Sequence, residues 1–274
     1  MSLFVHPETK KALETMKHQR PHAVALVGPS GIGLASLAND YTTDMSSTVI
    51  TVLPEKDEKI DLARGTITVQ SIRRLYDLTR TIEPSGRVVI IDYAERMAIP
   101  AQNAFLKLLE EPTEGTSFVL LTHQPELLLP TIRSRVQRID VRPISRKQSE
   151  QLLDELKVTD ATKRTQLLFI ADGHPAELAR LSTDKDLFEA RSTLVKDART
   201  YITGALYDRL LIANKYKDSR SDAQILVEDA TKLLRLTIAS NGDSASLALL
   251  TQLEQLHKRL FEQGNVRLQL SSLM

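Results

Sequence analysis

Apolar and polar positions along the chain follow two regimes. Up to residue 142, short apolar runs alternate with stretches in which apolar residues recur every three or four positions. Ala23–Val27 (AVALV) is an uninterrupted apolar run closed by Gly28, and runs of the same kind occur at Thr48–Leu53, Val88–Ile91 and Phe118–Leu121. Such runs suit strands buried on both faces of a parallel sheet. Helical patterns at Pro7–Arg20, Val69–Thr81 and Ala101–Leu109 lie around them, and the alternation predicts an α/β fold built on a doubly wound parallel sheet.

After Pro143 the strand-like runs stop. Helices are expected over Ser145–Leu156, Lys163–Ala171 and, after the break at Gly173, His174 and Pro175, Ala176–Leu181. From Tyr201 the pattern is helix alone: Ala205–Tyr216, Asp222–Ile238 and Ser244–Phe261, with breaks near Asp218–Ser221 and at Asn241 and Gly242. Boundaries near Pro143 and Tyr201 divide the chain into a sheet domain (1–142), a small helical domain (143–200) and a C-terminal all-helical domain (201–274). In the last of these Leu210, Leu211, Leu226, Leu233, Leu234, Leu250, Leu253, Leu256 and Leu260 form an apolar stripe, enough for an internal core and a partner surface.

Composition removes several classes of chemistry. The 274 residues carry 36 basic and 35 acidic side chains, so any nucleic-acid contact must be local rather than a property of the whole surface. With no cysteine there is no disulfide framework, thiolate nucleophile or cysteine-ligated metal, and six scattered histidines argue against a histidine-only site. No metal is expected. A stretch of about 18 apolar residues is absent, and the first residues carry no leader signature, so a soluble, cytoplasmic protein without membrane contact is expected. Aromatic residues are 4% of the chain and Trp is missing, which leaves little for stacking on unpaired bases.

Gly28-Pro-Ser30-Gly31-Ile-Gly33-Leu34-Ala35 follows the first buried strand and opens a helix, the context of a phosphate-binding loop. The glycine spacing of that loop is intact, but Leu34 stands where the phosphate-neutralising Lys belongs and Ala35 where the metal-binding hydroxyl belongs. Ser36 comes one position too late to replace it. The backbone amides could still accept an anion, at much reduced affinity, and the glycines otherwise serve only to turn strand into helix. The strand at Val88–Ile91 ends in Asp92-Tyr93-Ala94-Glu95. Asp92 holds the place of a magnesium-side carboxylate or simply caps a turn, Tyr93 replaces the glutamate that would polarise water, and Glu95 reads as a solvated residue opening the next helix.

Ala101–Val136 reads AQNAFLKLLEEPTEGTSFVLLTHQPELLLPTIRSRV. It is similar to the A-x-N-A-x-L-K-x-L-E-E-P run and the L-x-T-I-R-S-R-C run of the clamp-loader family within the AAA+ ATPases. The resemblance is strongest over 18–38, with its leader His18-Gln-Arg-Pro-His22-Ala23, and over 86–142. It implies an AAA+ (RecA-like) sheet domain, a small helical lid domain and a C-terminal helical collar.

The resemblance also implies a mechanism in which one subunit completes its neighbour's active site. By position, Ser134 and Arg135 match the motif whose arginine reaches the γ-phosphate held by the adjacent subunit, and Val136 replaces its cysteine. Guanidinium suits the role because it is always charged and forks donors onto phosphate oxygens. Read without the motif, Arg133, Arg135, Arg138 and Arg142 form a solvated basic edge leaving a strand. Glu110 and Glu111 are expected to organise an interface or loop, and Pro112 to end the helix. Thr122 matches a nucleotide-sensing position or a plain turn residue, and Ala176 stands where a second sensor would have arginine.

With Lys, hydroxyl and second-sensor Arg all missing, no cofactor is expected at Gly28, Gly31, Gly33, Leu34, Ala35, Asp92 or Thr122. The resemblance then implies a non-hydrolysing subunit that assembles with ATPase siblings, supplies Arg135 in trans, and helps load a ring-shaped sliding clamp on primed DNA. An active clamp-loader ATPase and an inactive AAA+ adaptor in another assembly are the alternatives.

Overall fold

A computed structural model describes residues 3–43, 47–62, 64–241, 244–261 and 264–273. In order, the first part of the chain forms α1 (Pro7–Gln19), β1 (Ala23–Val27), α2 (Leu34–Thr43), β2 (Thr48–Val52), β3 (Glu55–Lys56), β4 (Lys59–Ile60), α3 (Val69–Thr79), β5 (Arg87–Ile91), α4 (Ile99–Glu110), β6 (Thr116–Thr122), α5 (Pro130–Arg133) and β7 (Gln137–Asp140). Then come α6 (Arg146–Glu155), α7 (Ala161–Ala171), α8 (Pro175–Thr183), α9 (Lys185–Thr203), α10 (Leu206–Lys215), α11 (Arg220–Asn241), α12 (Ser244–Phe261) and α13 (Val266–Ser271). These fall into two units, Met1–Thr159 with Ala171–Arg180, and Asp160–Ile170 with Leu181–Met274.

The first unit is a five-stranded parallel sheet in the order β2-β5-β6-β1-β7. β1 runs beside β6 with Ala23 opposite Phe118, and on its other side beside β7 with Val24 opposite Gln137. Alternate residues of the central strands face opposite ways. Ala23, Ala25, Val89, Ile91, Phe118 and Leu120 pack with α3 and α4, including an edge-to-face pair of Phe105 and Phe118. Val24, Leu26, Val88, Ile90, Val119 and Leu121 pack with α1 and α2. The α/β expectation is met, and the apolar runs at β1, β5 and β6 are buried on both faces as their composition demands.

Three details of the sheet unit differ from the pattern. β2 sits at an edge and leaves Val49 43% exposed, because an edge strand lacks half of its neighbours. β7 was not expected: in Gln-Arg-Ile-Asp only Ile139 is buried, and it is a strand because β1 supplies the ladder. The short hairpin of β3 and β4 carries no apolar alternation either.

In the second unit α9, α10, α11, α12 and α13 share one core, with Tyr201, Ile212, Leu226, Val227, Leu253, Leu256, Leu260 and Leu270 buried. The 19-residue α9, capped by Asp184 accepting from the Leu187 amide, and the short α13 had no counterpart in the expected helices. Tyr201, the expected domain boundary, lies inside α9 and donates its hydroxyl to the Leu270 carbonyl at 2.5 Å. Of the leucine stripe, Leu210 and Leu211 are exposed; Ile212 and Ala213 are the buried residues of α10. Asn241 is the last residue of α11 rather than a break, and Gly242 lies outside the described residues.

Candidate functional site

The C-terminal ends of β1, β5 and β6 bring together the loop after Val27, Asp92 and Thr122, as a parallel sheet with crossover helices must. The loop amide of Gly28 donates to the Thr122 carbonyl at 3.2 Å, tying β1 to β6 where the chain turns. Gly31 and Gly33 take φ of +79° and +95°, which glycine adopts without penalty. Leu34 is not a phosphate ligand in waiting. Its side chain is buried with Ile32 and Leu37 in the core under α2, while Ala35 is exposed.

What faces this loop is the first turn of α8, in the same unit. The Glu177 amide donates to the Gly31 carbonyl at 2.9 Å. A Cβ built on Gly31 would come within 2.8 Å of Glu177 Cβ, and one on Gly33 within 3.4 Å of Ala176 Cβ. The residue at the second-sensor position therefore packs directly on the loop. Glu177, its neighbour, turns its carboxylate to Arg180 at 2.6 Å while lying over Gly31. A cavity of about 270 Å³ beside the loop is lined by Leu3, Phe4, Ile32, Leu37, Leu152 and Ala176 among others, with no charged side chain. Against the loop stand a carboxylate paired with Arg180 and apolar walls.

At the end of β5, Tyr93 adopts φ of +52° and Ala94–Arg96 form a 3-10 turn. This local bend returns Glu95 toward the sheet, so that its carboxylate accepts from the His123 amide at 3.4 Å. The expectation that Glu95 is simply solvated is therefore corrected: the left-handed Tyr93 supplies the bulge that sequence spacing did not reveal. His123 Nδ1 lies 2.7 Å from the Gly28 carbonyl, and its ring packs edge-on against Tyr93, over which Arg96 stacks. Asp92 accepts from the Tyr93 amide at 2.9 Å. Burial pushes its carboxyl above the usual range, with Glu95 adding to the shift while the Tyr93 amide and His123 oppose it. Thr122 is fully buried and its hydroxyl accepts from the Gln124 amide at 3.2 Å, the geometry of a turn residue. Among the described residues no group of three His, Asp or Glu could hold a metal ion.

Arg135 sits on another part of the surface, in the turn between α5 and β7. Its guanidinium contacts the Thr131 carbonyl at 3.0 Å and Glu110 at 2.8 Å, and Ser134 Oγ donates to the same carbonyl at 3.1 Å. Two other arginines of the edge are engaged elsewhere: Arg138 pairs with Asp140 at 2.6 Å and Arg142 with Glu8. The turn rests on α4, whose buried Gln102 donates to the carbonyls of Met97 and Leu127 and accepts from the Leu129 amide. The sequence marks Arg135 and Glu110 separately, by motif and by position. Glu177 and His123 carry no sequence signal beyond their adjacency to Ala176 and Thr122.

Comparison with known proteins agrees with the motif pair. The family described as DNA polymerase III, delta subunit, matches residues 44–145. The delta' subunit of DNA polymerase III from Pseudomonas aeruginosa is 32% identical over 190 residues, covering 60% of this chain and 56% of that protein. The chain thus spans little more than half the length of that relative. A probable replication factor C subunit 5 from Caenorhabditis elegans is 25% identical over 94% of this chain and 72% of that protein. In fold, a DNA polymerase III gamma subunit-related protein from Thermotoga maritima aligns over 95% of this chain and 96% of its own, at 20% identity and a TM-score of 0.52. The fold is thus like that of the gamma subunit-related protein, and over 44–145 and the region shared with the delta' relative the sequence is similar to that of delta'-type subunits of DNA polymerase III.

Proposed function

We propose that this chain is a non-hydrolysing clamp-loader subunit of the replicative polymerase assembly. Under this reading it joins ATPase siblings, presents Arg135 with Ser134 to a nucleotide held by its neighbour, and helps place a sliding clamp on primed DNA. The observation that carries the non-hydrolysing part is the contact of α8 with the degenerate loop: Ala176 and Glu177 lie against Gly33 and Gly31, and Leu34 is committed to the core. Phosphoryl transfer needs a cation and a metal hydroxyl at that place. The residues present supply neither. The three-part division at 1–142, 143–200 and 201–274 goes with the proposal as sheet domain, lid and collar, although α9 crosses the second boundary and its buried face belongs to the collar core.

An active clamp-loader ATPase is the second reading, and the replication factor C relative favours it. It requires a cation to stand in for Lys at Leu34. Two measurements decide. The isolated chain should show no saturable ATP binding at low micromolar concentration by calorimetry; binding in that range would overturn the non-hydrolysing reading. In a reconstituted assembly Arg135→Ala should leave co-assembly intact and lower DNA- and clamp-stimulated ATP hydrolysis, by a factor on the scale of about 10³ seen for fingers supplied in trans. Arg135→Lys should recover little, because it keeps the charge without the fork. A wild-type rate for Arg135→Ala would leave the chain a scaffold.

A further inference from the structure

Arg135 is held by two contacts from two different elements. Its Nη1 donates to the Thr131 carbonyl at 3.0 Å, within its own turn, and its Nη2 meets Glu110 Oε1 at 2.8 Å, on the last residue of α4. The pair is half open to solvent, with the side chains 38% and 49% exposed. From this geometry we infer that Glu110 is a positioning residue for the Arg135 guanidinium, acting on the neighbour's nucleotide only through that arginine. The inference rests on the proposed role of Arg135 and extends it to a residue that itself touches no nucleotide.

Chemistry and architecture favour positioning over sequestration. An ion pair this exposed is weak, because water screens both partners and two long side chains lose freedom in forming it. It cannot hold the arginine back from a phosphate that carries several negative charges beside a metal ion. It can, however, restrict the rotamers of a four-torsion side chain before the phosphate arrives, so that less freedom remains to be lost in the reacting complex. The guanidinium has five N–H donors, and the two contacts engage two of them, leaving others to be presented outward.

Glu110 is well placed for such a task because α4 is anchored at several points. Gln102 anchors the helix through three backbone hydrogen bonds, and Phe105 packs edge-to-face on Phe118 in the sheet core. The C-terminal end of a helix also attracts a cation through its unpaired carbonyls, which adds to the pull of the carboxylate. Ser134 Oγ and Arg135 Nη1 converge on the one Thr131 carbonyl, so the turn is fixed from within and Glu110 sets only the outer end of the side chain. Glu111 does different work: its amide closes α4 on the Lys107 carbonyl.

The test is a double-mutant cycle in the reconstituted assembly, reading kcat and KM for ATP in clamp- and DNA-stimulated hydrolysis. Glu110→Ala should lower kcat by about three- to tenfold with KM within about twofold, since geometry and not nucleotide binding is disturbed. Glu110→Gln keeps an oxygen acceptor at the same reach and should recover part of the loss. In the Arg135→Ala background Glu110→Ala should cost nothing further, and the thermal midpoint of the isolated chain should hardly move. An unchanged or raised kcat for Glu110→Ala, or a loss that adds to that of Arg135→Ala, would overturn the inference while leaving the arginine's role standing. If the assembly carrying Arg135→Ala hydrolyses ATP at the wild-type rate, the reading of Arg135 fails and Glu110 falls with it.

Discussion

The backbone amide of Glu177 donates to the carbonyl of Gly31 at 2.9 Å, and its Cβ stands where a side chain on Gly31 would have to go. A loop whose spacing belongs to a phosphate cradle is thereby closed by the first turn of a helix from the far end of the same unit. Glycine at 31 is required twice over, by its φ of +79° and by the approach of α8.

Gly31→Ala should therefore destabilise the sheet unit by more than the cost of a left-handed alanine, about 1–2 kcal/mol. The obstacle is a Cβ on a helix at 2.8 Å, not the pliable end of a side chain, so α8 must shift. Gly33→Ala, whose nearest neighbour would be Ala176 Cβ at 3.4 Å, should show the backbone penalty alone. Urea denaturation of the two variants compares them directly, and equal losses would mean that α8 does not press on Gly31.

Asp92→Asn should stabilise the chain at neutral pH. Burial raises the carboxyl pKa of Asp92 in the folded protein, so the folded state resists the ionisation that the unfolded state undergoes freely. Below the unfolded value, about pH 4, both states are protonated and the substitution should change little. As pH rises through that value and then through the raised folded value, wild type loses stability that the variant keeps. Asn retains an oxygen for the Tyr93 amide now bound at 2.9 Å. Thermal melts from pH 3 to 8 should show the two curves separating upward; parallel curves would exclude the effect.

In the second unit Arg191 and Asp229 form a buried pair at 2.9 Å between α9 and α11, with side chains 15% and 2% exposed. Asp229→Ala strands the guanidinium and should cost about 3 kcal/mol or more. Replacing both, Arg191→Met with Asp229→Leu, should recover most of that. Arg138→Ala, which removes an exposed pair with Asp140, should change stability by less than about 1 kcal/mol. Chemical denaturation of the three variants gives the ranking, and a mild Asp229→Ala would contradict it.

Tyr201→Phe removes the buried hydroxyl that donates to the Leu270 carbonyl. A loss of about 1–2 kcal/mol is expected. The same contact bears on truncation: a chain ending at residue 204 would strip the partners from Leu194, Ala198 and Tyr201 of α9. Such a fragment should expose apolar surface and aggregate, which light scattering reports, whereas a well-behaved monomer would place α9 outside the C-terminal core.

By itself the sequence determined whatever depends on neighbours along the chain. A strand buried on both faces must be apolar without interruption, so β1, β5 and β6 were legible from their runs. Helix starts such as Ser145 with Gln148 carry their own cap, and the paired motifs of Ala101–Val136 carry the kinship. The edge strand β7 was not legible, because it exists through its ladder with β1, and nothing along the chain says that α9 shares a core with α10 to α13. The loop glycines could be read as an empty phosphate site, but not that Glu177 lies over it. Nor could spacing show that Tyr93 bends the chain to return Glu95, or that Glu110 meets Arg135 across two elements. Those are distances between residues far apart in sequence, decided by how helices seat on the sheet, and no local pattern encodes them.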